Sequence, residues 1–80
     1  MVLEKVISFV STQFLLEEDD INEDTTFESL GADEEDIREL VLAVEGEFEI
    51  KLHEDEVLRL NDIADLVGIV ETAVSLSDID

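Results

Sequence analysis

The sequence predicts a single all-α domain, and three observations support this fold class. The chain has 80 residues, which suffices for one domain but not for two separate cores. Apolar residues recur at steps of three and four along several stretches, as on one face of a helix. The only short alternating segment, residues 48–52, has no second strand to pair with, so we interpret it as an extended connection.

Helix I is predicted over about residues 2–16, and residues 17–32 are predicted to form a loop. The apolar face of helix I comprises Leu3, Val6, Ile7, Val10 and Phe14. The loop is rich in acids and threonines, which favour turns and caps over helix interiors. Its three apolar residues, Ile21, Phe27 and Leu30, are too far apart for a helix face. We expect them to hold the long loop in order against the core.

Helix II is predicted over about residues 34–48. Gly31 can adopt the positive φ of a tight turn, and Asp33 can act as the N-cap. The apolar face comprises Ile37, Leu40, Val41, Val44 and Phe48. The opposite face is nearly all acidic and comprises Glu35, Arg38, Glu39, Glu45 and Glu49.

Two further helices complete the predicted bundle. A short helix III is expected at about residues 54–60, with Val57, Leu58 and Leu60 facing inward. Helix IV is expected at about residues 62–75, capped by Asn61 or Asp62. Its apolar face comprises Ile63, Leu66, Val67, Val70 and Val74.

The predicted architecture is an antiparallel bundle of three main helices plus one short helix, with a long ordered first loop. It occupies a single domain of residues 1–80, and the tail from Ser75 onward is expected to fray.

Composition restricts the function. The chain has 24 Asp and Glu residues against 4 Lys and Arg, a formal net charge of -20, which repels nucleic acids and anionic membranes and favours basic proteins or cations. No cysteine is present and only one histidine, so thiolate, disulfide and Cys/His zinc chemistry are excluded. No apolar run is long enough to span a bilayer, and the N-terminus lacks a signal-peptide pattern. We expect a cytoplasmic protein, most simply a monomer.

The order of elements and the segment LGADEEDIRELVLAVEGEFEIKL resemble the acyl carrier protein family over nearly the whole chain. The resemblance implies a four-helix carrier fold. In that family a phosphopantetheine arm is attached to the serine of an Asp-Ser-Leu motif at the start of helix II, and the thiol of the arm carries the acyl group. The corresponding triplet here is Asp33, Glu34 and Glu35.

This departure predicts that no arm is attached at the usual position. Attachment requires a hydroxyl, whereas the Glu34 carboxylate would give an unstable mixed anhydride. Replacement of the leucine by Glu35 removes an apolar contact that the family's partner enzymes use. Other hydroxyls lie in the loop, at Thr25, Thr26 and Ser29, and in the tail, at Ser75 and Ser77. We interpret those of the loop as turn and capping groups.

The resemblance also indicates where an acyl chain would be sheltered between helices. The residues concerned are Val41, Val44, Phe48, Val57, Leu60 and Ile63. Without an arm, we expect them to form a closed core. Catalysis by the domain itself is not expected, because the sequence offers no convincing combination of nucleophile and base.

Three other patterns concern cations and the histidine. Asp20, Asn22 and Asp24 match the start of an EF-hand loop, but the glycine and glutamate that such a loop needs later are missing. Weak binding of Mg²⁺ or Ca²⁺ is expected instead at a cluster of carboxylates on helix II. The cluster comprises Asp33, Glu35, Asp36 and Glu39. We interpret His53 as an exposed or capping residue.

The leading hypothesis is an acyl-carrier-like interaction module that docks through acidic helix II on a basic surface of a protein partner, in fatty-acid or polyketide metabolism by resemblance. The candidate docking residues are Glu35, Asp36, Glu39, Glu45, Glu47 and Glu49. The alternative is an unusual carrier that is modified at another hydroxyl or that binds acyl groups noncovalently.

Overall fold

The computed structural model describes residues 1–77 and is all-helical, as the sequence predicts. Helix α1 spans Val2–Phe14, α2 Glu34–Phe48, α3 Glu54–Val57 and α4 Ile63–Ser77, and a 3-10 turn spans Glu18–Asp20. Within residues 1–77 no strand forms, and the one isolated β-bridge joins Thr26 to Asp62 in antiparallel fashion.

The core lies between the three long helices, because α1 packs against both α4 and α2. The predicted apolar faces supply it. The fully buried side chains are Val6, Val10, Leu40, Val44, Ile63, Leu66 and Val70. Burying an aliphatic side chain of this size stabilises a fold by roughly 1.5–3 kcal/mol, so this set is the main favourable contribution to folding.

The long first loop is ordered, as predicted. Ile21 and Phe27 are buried in the core. The Phe27 amide donates to the Asn61 carbonyl at 2.9 Å, and the Ile63 amide donates to the Thr25 carbonyl at 3.0 Å. The loop is therefore fixed to the start of α4 by backbone hydrogen bonds as well as by apolar contacts.

Helix α1 ends two residues earlier than predicted and α4 ends later. Leu15 adopts a left-handed conformation with φ 56°, which ends α1 at Phe14, and its side chain is 90% exposed. At the other end of the chain, the expectation of a frayed tail is wrong for residues 75–77, which are helical. The rest of that predicted tail, residues 78–80, lies outside the described residues.

Helix α3 is shorter than predicted, and the inward orientation expected for Leu58 is wrong. After Val57 the chain tightens, because the amides of Arg59 and Leu60 donate to carbonyls three residues earlier instead of four. This turn directs Leu58 outward, where its side chain is 59% exposed, while Val57 and Leu60 remain half-buried.

Candidate functional site

The start of α2 is a complete capping box. Asp33 Oδ1 accepts a hydrogen bond from the Asp36 amide at 2.9 Å, and Asp36 Oδ2 accepts one from the Asp33 amide at 3.2 Å. Gly31 precedes the box with φ 71°, in the left-handed region that favours glycine. The N-cap role predicted for Asp33 is thus observed, and the geometry fixes how the chain enters α2.

Glu34 and Glu35 occupy the first two positions of α2, and both are exposed. Neither backbone amide donates a hydrogen bond to another residue in the described part of the chain. These free amides belong to the positive end of the helix dipole, where negative charge is stabilised. The carboxylates of Glu34 and Glu35 place negative charge at this end of the helix.

The loop hydroxyls are engaged in turns. Ser29 Oγ donates to the Thr26 carbonyl at 2.8 Å, and Thr26 Oγ1 accepts from the Ser29 amide at 3.1 Å. Thr25 Oγ1 accepts from the Asn22 amide at 2.9 Å. The interpretation of these residues as turn groups agrees with the geometry.

The six candidate docking residues do not share one face of α2. Since successive residues turn by about 100° around a helix, Glu35 and Glu39 fall on one outer stripe, which also carries Leu42. Glu49 follows the helix as its C-cap, with a left-handed φ of 55°.

The Asp36 carboxylate accepts the Asp33 amide in the capping box, and its backbone carbonyl accepts from Gln13 Nε2 of α1 at 2.8 Å. Glu47 faces α1, since its Oε2 lies 3.6 Å from Lys5 Nζ.

The expectation that Glu45 lies on the exposed acidic face of helix II is wrong, because its side chain is directed toward the segment that follows α2. Its side chain is half-buried, and Oε2 accepts a hydrogen bond from the Leu52 amide at 2.7 Å. The sequence offered no clear signal for this contact, because the two residues lie seven positions apart across the end of the helix.

A surface groove of about 360 Å³, the α2–α3 groove, runs between α2, α3 and the segment that joins them. Its apolar lining residues are Ile37, Val41, Leu42, Leu52, Val57, Leu58 and Leu60. Its charged lining residues are Glu34, Arg38, Glu45, Lys51 and Glu54. Leu42 and Leu58 are 62% and 59% exposed. The sequence interpretation missed Leu42, although a leucine on an otherwise acidic face was a visible signal.

The expectation of a closed core for the six sheltering residues holds only in part. Val44 and Ile63 are fully buried. Val41 is also buried in the core, although it borders the α2–α3 groove. Val57 and Leu60 are half-buried and border that groove, and Phe48 is half-buried against the core.

The expected cation site at Asp33, Glu35, Asp36 and Glu39 gains no support from the geometry. Across residues 1–77, no three carboxylate or imidazole groups are arranged to hold a metal ion. In the EF-hand-like stretch, Asn22 Oδ1 accepts from the Asp24 amide at 2.8 Å and serves a turn. His53 is exposed at the N-cap of α3, and its side chain makes no capping hydrogen bond.

Within the described residues, no helix combines the length and the apolar character that crossing a membrane requires.

Comparisons with known proteins identify the class of this fold and site. Residues 4–70 match the family model described as the phosphopantetheine attachment site. The chain is 41% identical over 69 residues to an acyl carrier protein of Akkermansia muciniphila, covering 85% of this chain and 86% of that protein. It is 33% identical over 72 residues to an acyl carrier protein of Clostridium acetobutylicum, covering 89% and 94%.

A solved structure agrees with these relatives. The crystal structure of an acyl carrier protein from Thermotoga maritima superposes with a TM-score of 0.79 at 28% identity, covering 96% of this chain and 88% of that one. The fold is therefore that of a carrier domain. The chain belongs to the acyl carrier protein family.

Proposed function

We propose that this chain is an acyl-carrier-like interaction module that bears no phosphopantetheine at the usual position and that docks through acidic α2 on a basic partner of acyl metabolism. The observation that carries the proposal is the residue at the first position of α2. Glu34 follows the capped Asp33 and is exposed, so the backbone resembles an attachment site whereas the side chain has no hydroxyl.

The other hydroxyls of the first loop are poor substitutes for the missing serine. Ser29, Thr25 and Thr26 already take part in turn hydrogen bonds, and all three precede the capping box. The phosphopantetheine that the family model names therefore does not fit the residues at the start of α2. This supports a domain that has kept the carrier fold without its usual attachment chemistry.

Intact mass spectrometry tests the absence of the arm. After incubation with coenzyme A and a phosphopantetheinyl transferase, the wild-type chain should keep its unmodified mass. Glu34→Ser with Glu35→Leu should gain the arm, and Glu34→Ser alone should gain it more slowly because the Glu35 carboxylate remains. An arm on the wild-type chain would overturn the first half of the proposal.

The outer stripe of α2 supports docking on a basic surface. Glu35 and Glu39, together with the C-cap residue Glu49, are exposed and make no ion pair with a described residue. Leu42 lies between them and is 62% exposed at the edge of the α2–α3 groove. A partner with lysines or arginines around an apolar side chain would match this pattern, with charge guiding the encounter and the apolar side chain contributing burial.

The transferase itself serves as a docking probe in the Glu34→Ser, Glu35→Leu background. Adding Glu39→Lys should lower kcat/KM by about tenfold at low salt, and the difference should shrink as salt screens surface charge. Glu4→Lys on α1 and Glu71→Lys on α4 make the same charge change at exposed sites elsewhere. Equal losses in all three variants would contradict docking on α2.

The α2–α3 groove favours a second candidate function, noncovalent binding of an acyl group. Its apolar lining could hold a hydrocarbon chain, and Lys51, which has no ion pair with a described residue, could face a carboxylate. Decanoate titrated into ¹⁵N-labelled protein should then shift the Leu52 and Leu58 amides, and Leu58→Asp should abolish the shifts. Leu15→Asp is the matched control, because Leu15 is exposed outside the groove. If the amide shifts persist in Leu58→Asp, noncovalent acyl binding in the α2–α3 groove is excluded.

A further inference from the structure

The segment that joins α2 to α3, residues 49–53, separates two grooves. The α2–α3 groove lies on one side of it. On the other side, a second groove of about 300 Å³ lies between the segment and α4, where Ile69, Ala73 and Leu76 line it. Lys51 and Leu52 line both grooves. The segment is therefore a shared wall, and its position sets the shape of both grooves.

Glu45 accepts the backbone hydrogen bonds that attach residues 49–53 to α2. Its carbonyl oxygen accepts the amides of Glu49 and Ile50, the latter at 3.1 Å, which only closes the end of the helix. Its carboxylate reaches further and accepts the Leu52 amide at 2.7 Å. A half-buried hydrogen bond to a charged acceptor is stronger than one between neutral groups.

Other hydrogen bonds from the wall are few among the described residues, although the Ile50 and Leu52 side chains also pack against the core. The carbonyl of His53 accepts amides from Glu56 and Val57, which ties the far end of the segment to α3. Between these two ends, the Leu52 amide is the backbone donor that returns to α2, and Glu45 is its acceptor. Loss of this bond removes the hydrogen bond from the middle of the segment to α2 and leaves that part held only by side-chain packing, while both helix ends stay closed.

We infer that Glu45 is a positioning residue, which holds residues 49–53 in place as the wall between the two grooves, and not a docking contact. The inference depends on the proposed function only because the α2–α3 groove adjoins the outer stripe of α2. It reassigns one of the six candidate docking residues on geometric grounds, since the carboxylate is committed to the chain's own backbone.

Hydrogen exchange of the Leu52 amide in the isolated protein tests the assignment. Glu45→Asp keeps the charge but shortens the side chain, whereas Glu45→Gln keeps the reach and the acceptor oxygen but removes the charge. We expect the Leu52 amide to exchange roughly tenfold faster in Glu45→Asp and within roughly threefold of wild type in Glu45→Gln, because local protection depends on this bond. Rates are normalised to the core amides of Leu40 and Val44, so that a change in global stability does not count.

Glu47→Gln is the matched control, because Glu47 lies two residues away and faces Lys5 instead of the segment. Its Leu52 amide should exchange as in wild type. Exchange of the Leu52 amide in Glu45→Asp as slow as in wild type would mean that the reach of Glu45 does not hold the segment, and would overturn the inference. No partner or transferase enters the measurement, so failure of the docking proposal leaves its result unchanged.

Discussion

The starts of α2 and α4 use the same capping chemistry in opposite surroundings. At α2, Asp33 accepts the Asp36 amide at 2.9 Å. At α4, Asp62 accepts the Asp65 amide at 2.8 Å, and Asp65 in turn accepts the Asn61 amide at 2.9 Å. Each helix therefore begins with an aspartate followed three residues later by another.

The residues that follow the caps differ completely. The first residue of α4, Ile63, is fully buried, and its amide and that of Ala64 donate to loop carbonyls at 3.0 and 2.9 Å. The first residue of α2, Glu34, is exposed, and its amide bonds to nothing in the described part of the chain. The start of α4 thus serves folding, whereas the start of α2 remains accessible. Capping signals alone do not distinguish a buried helix start from an accessible one.

The largest difference should appear at the first residue of each helix. Ile63→Ala should lower the free energy of unfolding by about 2–5 kcal/mol, because it leaves a cavity in the core. Glu34→Ala should change it by less than about 0.5 kcal/mol, as at other exposed positions. Urea unfolding monitored by circular dichroism measures both, provided that the m value stays constant. Similar costs at the two positions would remove the distinction between the two helix starts.

The caps themselves should differ less. Asp62→Ala and Asp33→Ala should each cost about 0.5–2 kcal/mol. We expect Asp62→Ala to cost more, because removing Asp33 also relieves repulsion with the neighbouring carboxylates of Glu34 and Glu35. Asn at either position keeps an acceptor and should restore most of the loss. The same urea titrations decide the order, and a larger cost for Asp33→Ala would show that repulsion at the start of α2 is negligible.

The smallest effect concerns divalent cations. At constant ionic strength, millimolar Mg²⁺ should raise the melting temperature by less than about 4 °C, since weak binding to the native state contributes little free energy. In a ¹⁵N spectrum, the amides of Glu35 and Asp36 should shift more than that of Asp65, because acids are denser at the start of α2. Small shifts of equal size at all these amides would mean that Mg²⁺ only screens the surface charge, and would exclude a cation site at the start of α2.

Much of the fold could be predicted from the spacing of apolar residues. The faces of α1, α2 and α4 supply the buried core, and the wide spacing of Ile21 and Phe27 correctly indicated an anchored loop. These predictions succeeded because helical periodicity and burial depend on residue type and local order, which the sequence contains directly. The family resemblance was confirmed as well, over residues 4–70 by the family model.

The sequence by itself also determined the chemistry at the start of α2: a capped helix, two exposed carboxylates and no hydroxyl at Glu34. Only the tertiary structure decided which acids of α2 are free. Lys5 turns Glu47 toward α1, and the Leu52 amide draws Glu45 to the joining segment. It also decided that Leu58 points outward and that a groove opens beside α3. These outcomes depend on where one element ends against another, and a pattern of residue types along a single helix does not encode such contacts between distant parts of the chain.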